Sequence, residues 1–330
     1  MAQLTQMMLI SIDDLESRLG VRKFPVFVQE CEEAFQNKIE QAAGHILLRA
    51  DVRAIFVSGP TASGKTTFSD RLACFLTSSC RPTRVLSLDD YYKTESIQFD
   101  EQGRPDFETI DMIDTEALID DFRNLLSGQE VQLPTFDFVN RKRLYEPEKR
   151  IRLSDSDLII VEGLHGLSEK IIGNLPENQV YGLFIMPWCT LLDGRQLLGS
   201  RDLRLLRRIS RDVLHRGSTA LATIDYWPMI DRTESRYFPP YLARSDEYIN
   251  SCLPYEFCII PSMAAANIKQ SLEQYKRGTL PGSIYMKNEK GYADLPAAIK
   301  EAQYLLAACE RLPSADQIVV PKQSILQEFI

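Results

Sequence analysis

The sequence predicts an α/β fold, a parallel sheet with helices on both faces and helical additions before and after it. Three observations carry that expectation. Short β-rich runs, "RAIFVSG" from Arg53, "TRVLSL" from Thr83, "DLIIVEG" from Asp157 and "VYGLFIM" from Val180, alternate with helical patterns. The first of these runs leads straight into a glycine-rich turn and then a helix from Gly64 to Ser79. A composition of 44% hydrophobic and 25% charged residues over 330 positions suits a large buried core rather than a disordered chain.

In order along the chain, residues 1–50 read as a helical arm, because Phe27, Cys31, Phe35, Ile39 and Ile46 recur at one- or two-turn intervals. Residues 51–260 hold the alternating strands and helices, and 261–330 read as a helical extension packed on them. After the second strand, Thr94 to Asp111 is polar and irregular. "DTEALIDDFRNLLSG" is then a helix, with Asp114 as N-cap and Gly128 as its stop. A basic helix spans Arg201 to Arg216, and "WPMIDRTESRYFPPY" follows it, a stretch that Pro239 and Pro240 are expected to break. A loop from Gly278 to Gly291 precedes the helix "ADLPAAIKEAQYLLAACERL".

Composition narrows the function. No apolar run is long enough for a membrane span, and the opening residues lack a basic lead and carry Asp13 and Asp14, which argues against a secretory signal. Seven cysteines without tight spacing suggest reduced thiols and a cytoplasmic setting. A net charge of −8 disfavours general nucleic-acid binding. A homo-oligomer is left open. The three histidines, His45, His165 and His215, lack metal-like spacing, and Cys252 and Cys258 form no zinc pattern.

"GPTASGKT", Gly59 to Thr66, satisfies G-x-x-x-x-G-K-[ST] between a strand and a helix. Gly59, Pro60, Thr61, Ala62, Ser63, Gly64, Lys65, Thr66 and Thr67 therefore form a candidate triphosphate site. Backbone amides and the helix N-terminus would face phosphate oxygens, Lys65 would reach the outer phosphates, and the Thr66 hydroxyl would ligate Mg²⁺. Such a loop does not say whether the nucleotide drives motion, switches a state or donates phosphate.

Three further stretches, "SLDDYYK", "IIVEG" and "RLLRRISRDVLHRG", occur in that order after the loop. Together they resemble the uridine kinase and phosphoribulokinase group of P-loop kinases. "RPDFETID", "LPTFDFVNRKR", "VEGLHGL", "ATIDYWPMI" and "SILQEFI" bring the sequence closer to a bacterial nucleoside kinase branch that often carries an N-terminal TGS domain. Residues 1–50 do not look like a complete TGS domain, so no role of that domain is carried over. The resemblance implies a P-loop kinase fold with an arginine-rich lid helix, ATP and Mg²⁺ as cofactors, and a nucleoside acceptor phosphorylated on its ribose 5′-hydroxyl.

It also implies roles. Asp89 would be general base and Mg²⁺-associated, although Asp90 beside it could equally be a cap. Glu162 would hold Mg²⁺ mostly through water. Arg208, Arg211 and Arg216 would clamp phosphates; helical spacing, independently of the resemblance, lets Arg204, Arg208 and Arg211 converge while Arg207 points elsewhere. Taken alone, that helix reads as a solvated face or a nucleic-acid patch. Ser218 stands where the family's uridine kinases often have another arginine.

Asp106 would bind ribose hydroxyls and Tyr92 would line the same pocket, with Arg208 at its phosphate side. Phe136 and Phe138 could face a base or the core. Arg141 stands where the family's pyrimidine kinases present histidine, so either the acceptor preference is not simply uridine and cytidine, or Arg141, Lys142 and Arg143 form a basic turn. The alternatives are a sugar-phosphate kinase and a nucleotide-dependent regulatory or nucleic-acid-binding protein.

Overall fold

The computed structural model describes residues 7–94, 97–137, 140, 142–173, 175–286 and 291–330. The front of the chain opens with a strand, β1 (Met8–Ser11), then α1 (Ile12–Ser17), whose N-cap Ser11 accepts from the Asp14 amide. The long α2 (Lys23–Leu47) buries Phe27, Cys31, Phe35, Ile39 and Ile46, the stripe read from the sequence. The arm is thus not wholly helical. β1 is a parallel partner of a strand some 180 residues away, a pairing that no local pattern announces.

The central layer begins with β2 (Ala54–Ser58), α3 (Lys65–Ser78) and β3 (Thr83–Ser87). α4 (Thr115–Leu126) follows, with the Asp114 side chain capping the Ala117 amide. β4 (Val131–Asp137) and β5 (Lys142–Ile151) form a separate antiparallel pair. β6 (Leu158–Glu162), the short α5 (Glu169–Ile172) and β7 (Val180–Met186) complete the middle of the chain. β8 (Cys189–Asp193) and β9 (Arg195–Gly199) join β1 in a three-stranded sheet. Then come α6 (Ser200–His215), α7 (Ala220–Arg244), β10 (Glu247–Asn250), α8 (Ile260–Lys276) and α9 (Leu295–Cys309).

The main sheet has the order β10-β7-β2-β6-β3, with every neighbouring pair parallel. Every residue of β2 and β6 is buried, which is why their sequences run apolar instead of alternating. Because the chain passes from β2 to β3 and only later inserts β6 between them, the carboxyl ends of β2, β6 and β3 adjoin a crevice of the kind where open α/β sheets bind ligands.

One expectation fails clearly. Pro239 and Pro240 lie inside α7, which continues to Arg244. Both rings are exposed, so the carbonyls four residues back, on exposed Ser235 and Arg236, lose their helical partners where water can replace them. Buried Tyr241 then anchors the last turns: its hydroxyl lies 2.7 Å from Nδ1 of His165.

Candidate active site

The turn between β2 and α3 is shaped by close approach. A Cβ on Gly59 would stand 2.1 Å from the Ile185 carbonyl oxygen of β7, so only glycine fits there. Gly64, with φ +81°, begins α3 in a left-handed conformation, and Ala62 holds φ +56°, unusual for a residue with a side chain. The Ala62 carbonyl accepts from Arg207 Nη1 at 3.1 Å, which holds that strained peptide in place.

The loop suits a triphosphate. The first-turn amides of α3 lack intrahelical partners by construction and carry the positive end of the helix dipole. Ser63 Oγ is buried with no hydrogen-bond partner. Lys65 Nζ folds back to donate to the Pro60 carbonyl at 2.8 Å, and Thr66 is exposed. Thr61 is bonded on both its hydroxyl and its carbonyl by arginines of α6.

Two carboxylates meet this loop from neighbouring strands. Glu162 ends β6 and pairs in register with Val57 of β2 and Ser87 of β3. It is buried, and Ser87 Oγ donates to its Oε1 at 2.6 Å. Burial pushes its pKa up to about 7, nearby Asp89 adds to the rise, and Lys65 opposes it. Asp89 lies two residues beyond β3, in a 3₁₀ turn. Solvent reaches its side chain, while the protein atoms crowded around its carboxyl raise its pKa, helped by Glu108 and Asp90 and opposed by Lys65 and Arg216. The open surface governs access by a ligand, and the crowding sets the direction of the shift. Asp90 has a different task, accepting from the Phe136 amide at 3.0 Å and tying the β4–β5 pair to this turn.

Buried Glu162 and solvent-reached Asp89, with exposed Thr66 in the first turn of α3, suit Mg²⁺, which usually takes one or two carboxylates and completes its shell with phosphate and water. No cluster of three or more His, Cys, Asp or Glu able to hold a metal occurs among the described residues.

The arginine helix differs from both readings of it as an exposed surface. Arg204, Arg207 and Arg208 are buried, and all three reach the loop: Arg204 to the Thr61 carbonyl at 3.4 Å, Arg207 to that of Ala62, and Arg208 to Thr61 Oγ1 at 3.0 Å. The expectation that Arg207 points elsewhere is therefore corrected. Its guanidinium forms a two-pronged pair with fully buried Glu256, at 2.6 and 2.8 Å.

Asp212, also fully buried, collects Arg208, Arg211 and Arg216 and accepts from Tyr285 Oη at 2.5 Å. These arginines hold its carboxyl well below the usual range despite burial. Arg211 donates through Nε to Asp212, while its Nη2 makes no hydrogen bond. Arg216 is exposed at the end of α6, beside Gly217 with φ +64°. Ser218 is buried in the turn, bonded to Thr219 and Thr223.

On the acceptor side, Tyr92 Oη donates to the Phe107 carbonyl at 3.0 Å, and its ring packs 5.7 Å from that of buried Phe136. Asp106 is partly buried and accepts from the Glu108 amide. Phe138 and Arg141 lie outside the described residues. Arg143, read as part of a basic turn, instead binds Asp114 and the carbonyls of Tyr91 and Tyr92.

Sequence reasoning passed over Glu108, whose carboxylate pairs with Arg208 at 3.1 Å and whose charge helps raise the Asp89 pKa. It also passed over Asp212, although its spacing of four from Arg208 and four from Arg216 is visible in the sequence. His165 supports the site from below: its Nε2 bonds the Glu108 carbonyl at 2.8 Å, and burial lowers its pKa to about 4.

Residues 54–255, more than half of the chain, match the model of the Phosphoribulokinase / Uridine kinase family. A uridine kinase from Clostridium botulinum (strain 657 / Type Ba4) is 27% identical over 223 residues, 67% of this chain and 97% of that protein. One from Macrococcus caseolyticus (strain JCSC5402) is 29% identical over 185 residues, 56% of this chain and 80% of that protein. Among solved structures, a possible uridine kinase from Bacillus stearothermophilus aligns over 64% of this chain and 97% of its own, at 19% identity and a TM-score of 0.44. The loop, the strand-end carboxylates and the arginine helix all fall within the matched span, and the chain belongs to the phosphoribulokinase / uridine kinase family.

Proposed function

We propose that this kinase-family chain transfers the γ-phosphate of ATP to a hydroxyl of a nucleoside, the ribose 5′-hydroxyl being the best candidate. The observation that carries the reading is the meeting of Asp89 and Glu162 with Lys65 at the carboxyl ends of β2, β3 and β6. The loop 59–67 would hold the triphosphate, with Lys65 neutralising its outer charge. Thr66, Asp89 and Glu162 would hold Mg²⁺, which would supply positive charge against the charge that develops on the transferring phosphate.

Asp89 is the general base in this reading. Its open surface lets a hydroxyl approach, and a carboxylate at that place can take the hydroxyl proton. Asp90, engaged with the Phe136 amide, is the poorer candidate. Arg208, Arg211 and Arg216 supply positive charge near the loop, and Asp212 fixes where that charge sits. Tyr92, Phe136 and Asp106 would line the acceptor side, and Arg141 would set the preference for the base.

Product analysis with Mg-ATP and a panel of nucleosides and sugar phosphates tests the reading. A nucleoside 5′-monophosphate is expected. Turnover of sugar phosphates alone would favour the phosphoribulokinase-like alternative, and hydrolysis with no acceptor would favour a nucleotide switch.

A further inference from the structure

The last residues of the sequence return to the nucleotide loop. Ser324 Oγ lies 3.1 Å from Tyr255 Oη, and Ile325, Leu326 and Phe329 are fully buried. Phe329 lies under the Arg207 guanidinium, 5.2 Å from ring centre to Cζ. Ile325 packs so closely on the loop that a Cβ on Gly64 would meet its side chain at 3.1 Å. This seating places Glu328 at the start of α3. Its Oε1 accepts from the Thr67 amide at 3.0 Å and from Thr67 Oγ1 at 2.6 Å. Its charge also helps raise the pKa of Glu162 and of Asp70.

A first-turn amide and hydroxyl directly after G-K-T are donors that such a loop offers to nucleotide phosphate. Here a carboxylate, the same sign of charge with the same acceptor chemistry, already takes both. We propose that Glu328 belongs to the nucleotide subsite as an internal competitor, and that a bound nucleotide must displace its carboxylate from Thr67 before the phosphate can take those donors. This rests on the triphosphate reading of the loop. Only the side chain has to move, because Ile325, Leu326 and Phe329 hold the backbone in place. The segment therefore stays docked while the carboxylate swings between Thr67 and solvent, weakening nucleotide binding in proportion to its occupancy of the donors. A competitor present nine-tenths of the time lowers apparent affinity about tenfold.

The test measures Mg-ATP affinity by calorimetry on the full chain, for wild type, Glu328→Ala, Glu328→Gln and Lys65→Ala. Glu328→Gln is isosteric and stays informative if the alanine variant folds poorly. Tighter binding by both Glu328 variants, about tenfold for the folded alanine protein and less for glutamine, is expected, with binding lost in Lys65→Ala. Unchanged or weaker binding by the folded Glu328 variants, with Lys65→Ala still defective, would overturn the competitor while leaving the loop assignment standing. Absence of Mg-ATP binding in wild type and all variants would overturn both.

Discussion

Adjacent aspartates show how far single residues can be read. Sequence alone leaves Asp89 and Asp90 both open to a capping role, and their surroundings separate them: Asp90 is committed to the Phe136 amide, while Asp89 feels the charges of Lys65 and Arg216 and raises the pKa of Glu162. Asp89→Asn should therefore cut kcat by roughly 10²- to 10⁴-fold, far more than it weakens Mg-ATP binding. Asp90→Asn should mainly loosen the β4–β5 pair, by about 1 kcal/mol. Steady-state kinetics and thermal melts on both variants check this, and a catalytic collapse confined to Asp90→Asn would shift the base by one position. His165 gives a pH dependence. Its folded pKa, about 4, lies below the ordinary histidine value, so the unfolded chain takes up the proton first as pH falls. Its contribution is thus complete above the ordinary value of about 6.5 and is lost as pH drops through that value toward 4. Melting curves from pH 7 to pH 5 should show Tm falling, and His165→Gln should flatten part of that slope. An identical slope in the variant would show that other groups set it.

At the scale of elements, what was legible followed local chemistry. β2, β6 and β7 announce themselves as apolar runs, α3 follows its glycine-rich turn, and α4 shows its Asp114 cap. What was not legible depends on distant partners. β1 exists because β8 pairs with it, and α7 runs through Pro239 and Pro240 because their faces are open to water. The arginines of α6 show the same limit, since a charged helix reads as exposed until buried Glu256 and Glu234 are known to face it. Arg207 makes the consequence measurable, as it joins a buried carboxylate to the strained Ala62 peptide. Arg207→Met should destabilise the protein by about 3–5 kcal/mol, because Glu256 is left charged and unpaired. Adding Glu256→Gln should restore part of that stability while nucleotide affinity stays low, the Ala62 carbonyl still lacking its donor. Denaturant midpoints and calorimetric titrations would separate the two effects. Full recovery of nucleotide binding in the double variant would mean that Arg207 does not anchor the loop.

At the scale of the whole molecule, segments far apart in sequence converge on one end of the main sheet. Residues 59–67 form the loop, Asp89 and Glu162 come from neighbouring strand ends, α6 supplies guanidinium groups from behind, and the 324–330 segment closes against α3. The P-loop motif made the location of this site readable. The carboxylates Glu108, Glu256 and Glu328 that organise it were not, because a lone acidic residue in sequence looks the same whether solvated or buried. Among the described residues no helix is long and apolar enough to cross a membrane. The central claim is phosphate transfer from ATP to a nucleoside, and following the label from γ-labelled Mg-ATP tests it most directly. With a ribonucleoside present, one label should appear in a nucleoside 5′-monophosphate for each ADP formed, and the transfer should vanish in Lys65→Ala. Label released only as inorganic phosphate, or found only in a sugar phosphate when nucleosides compete with it, would contradict the account.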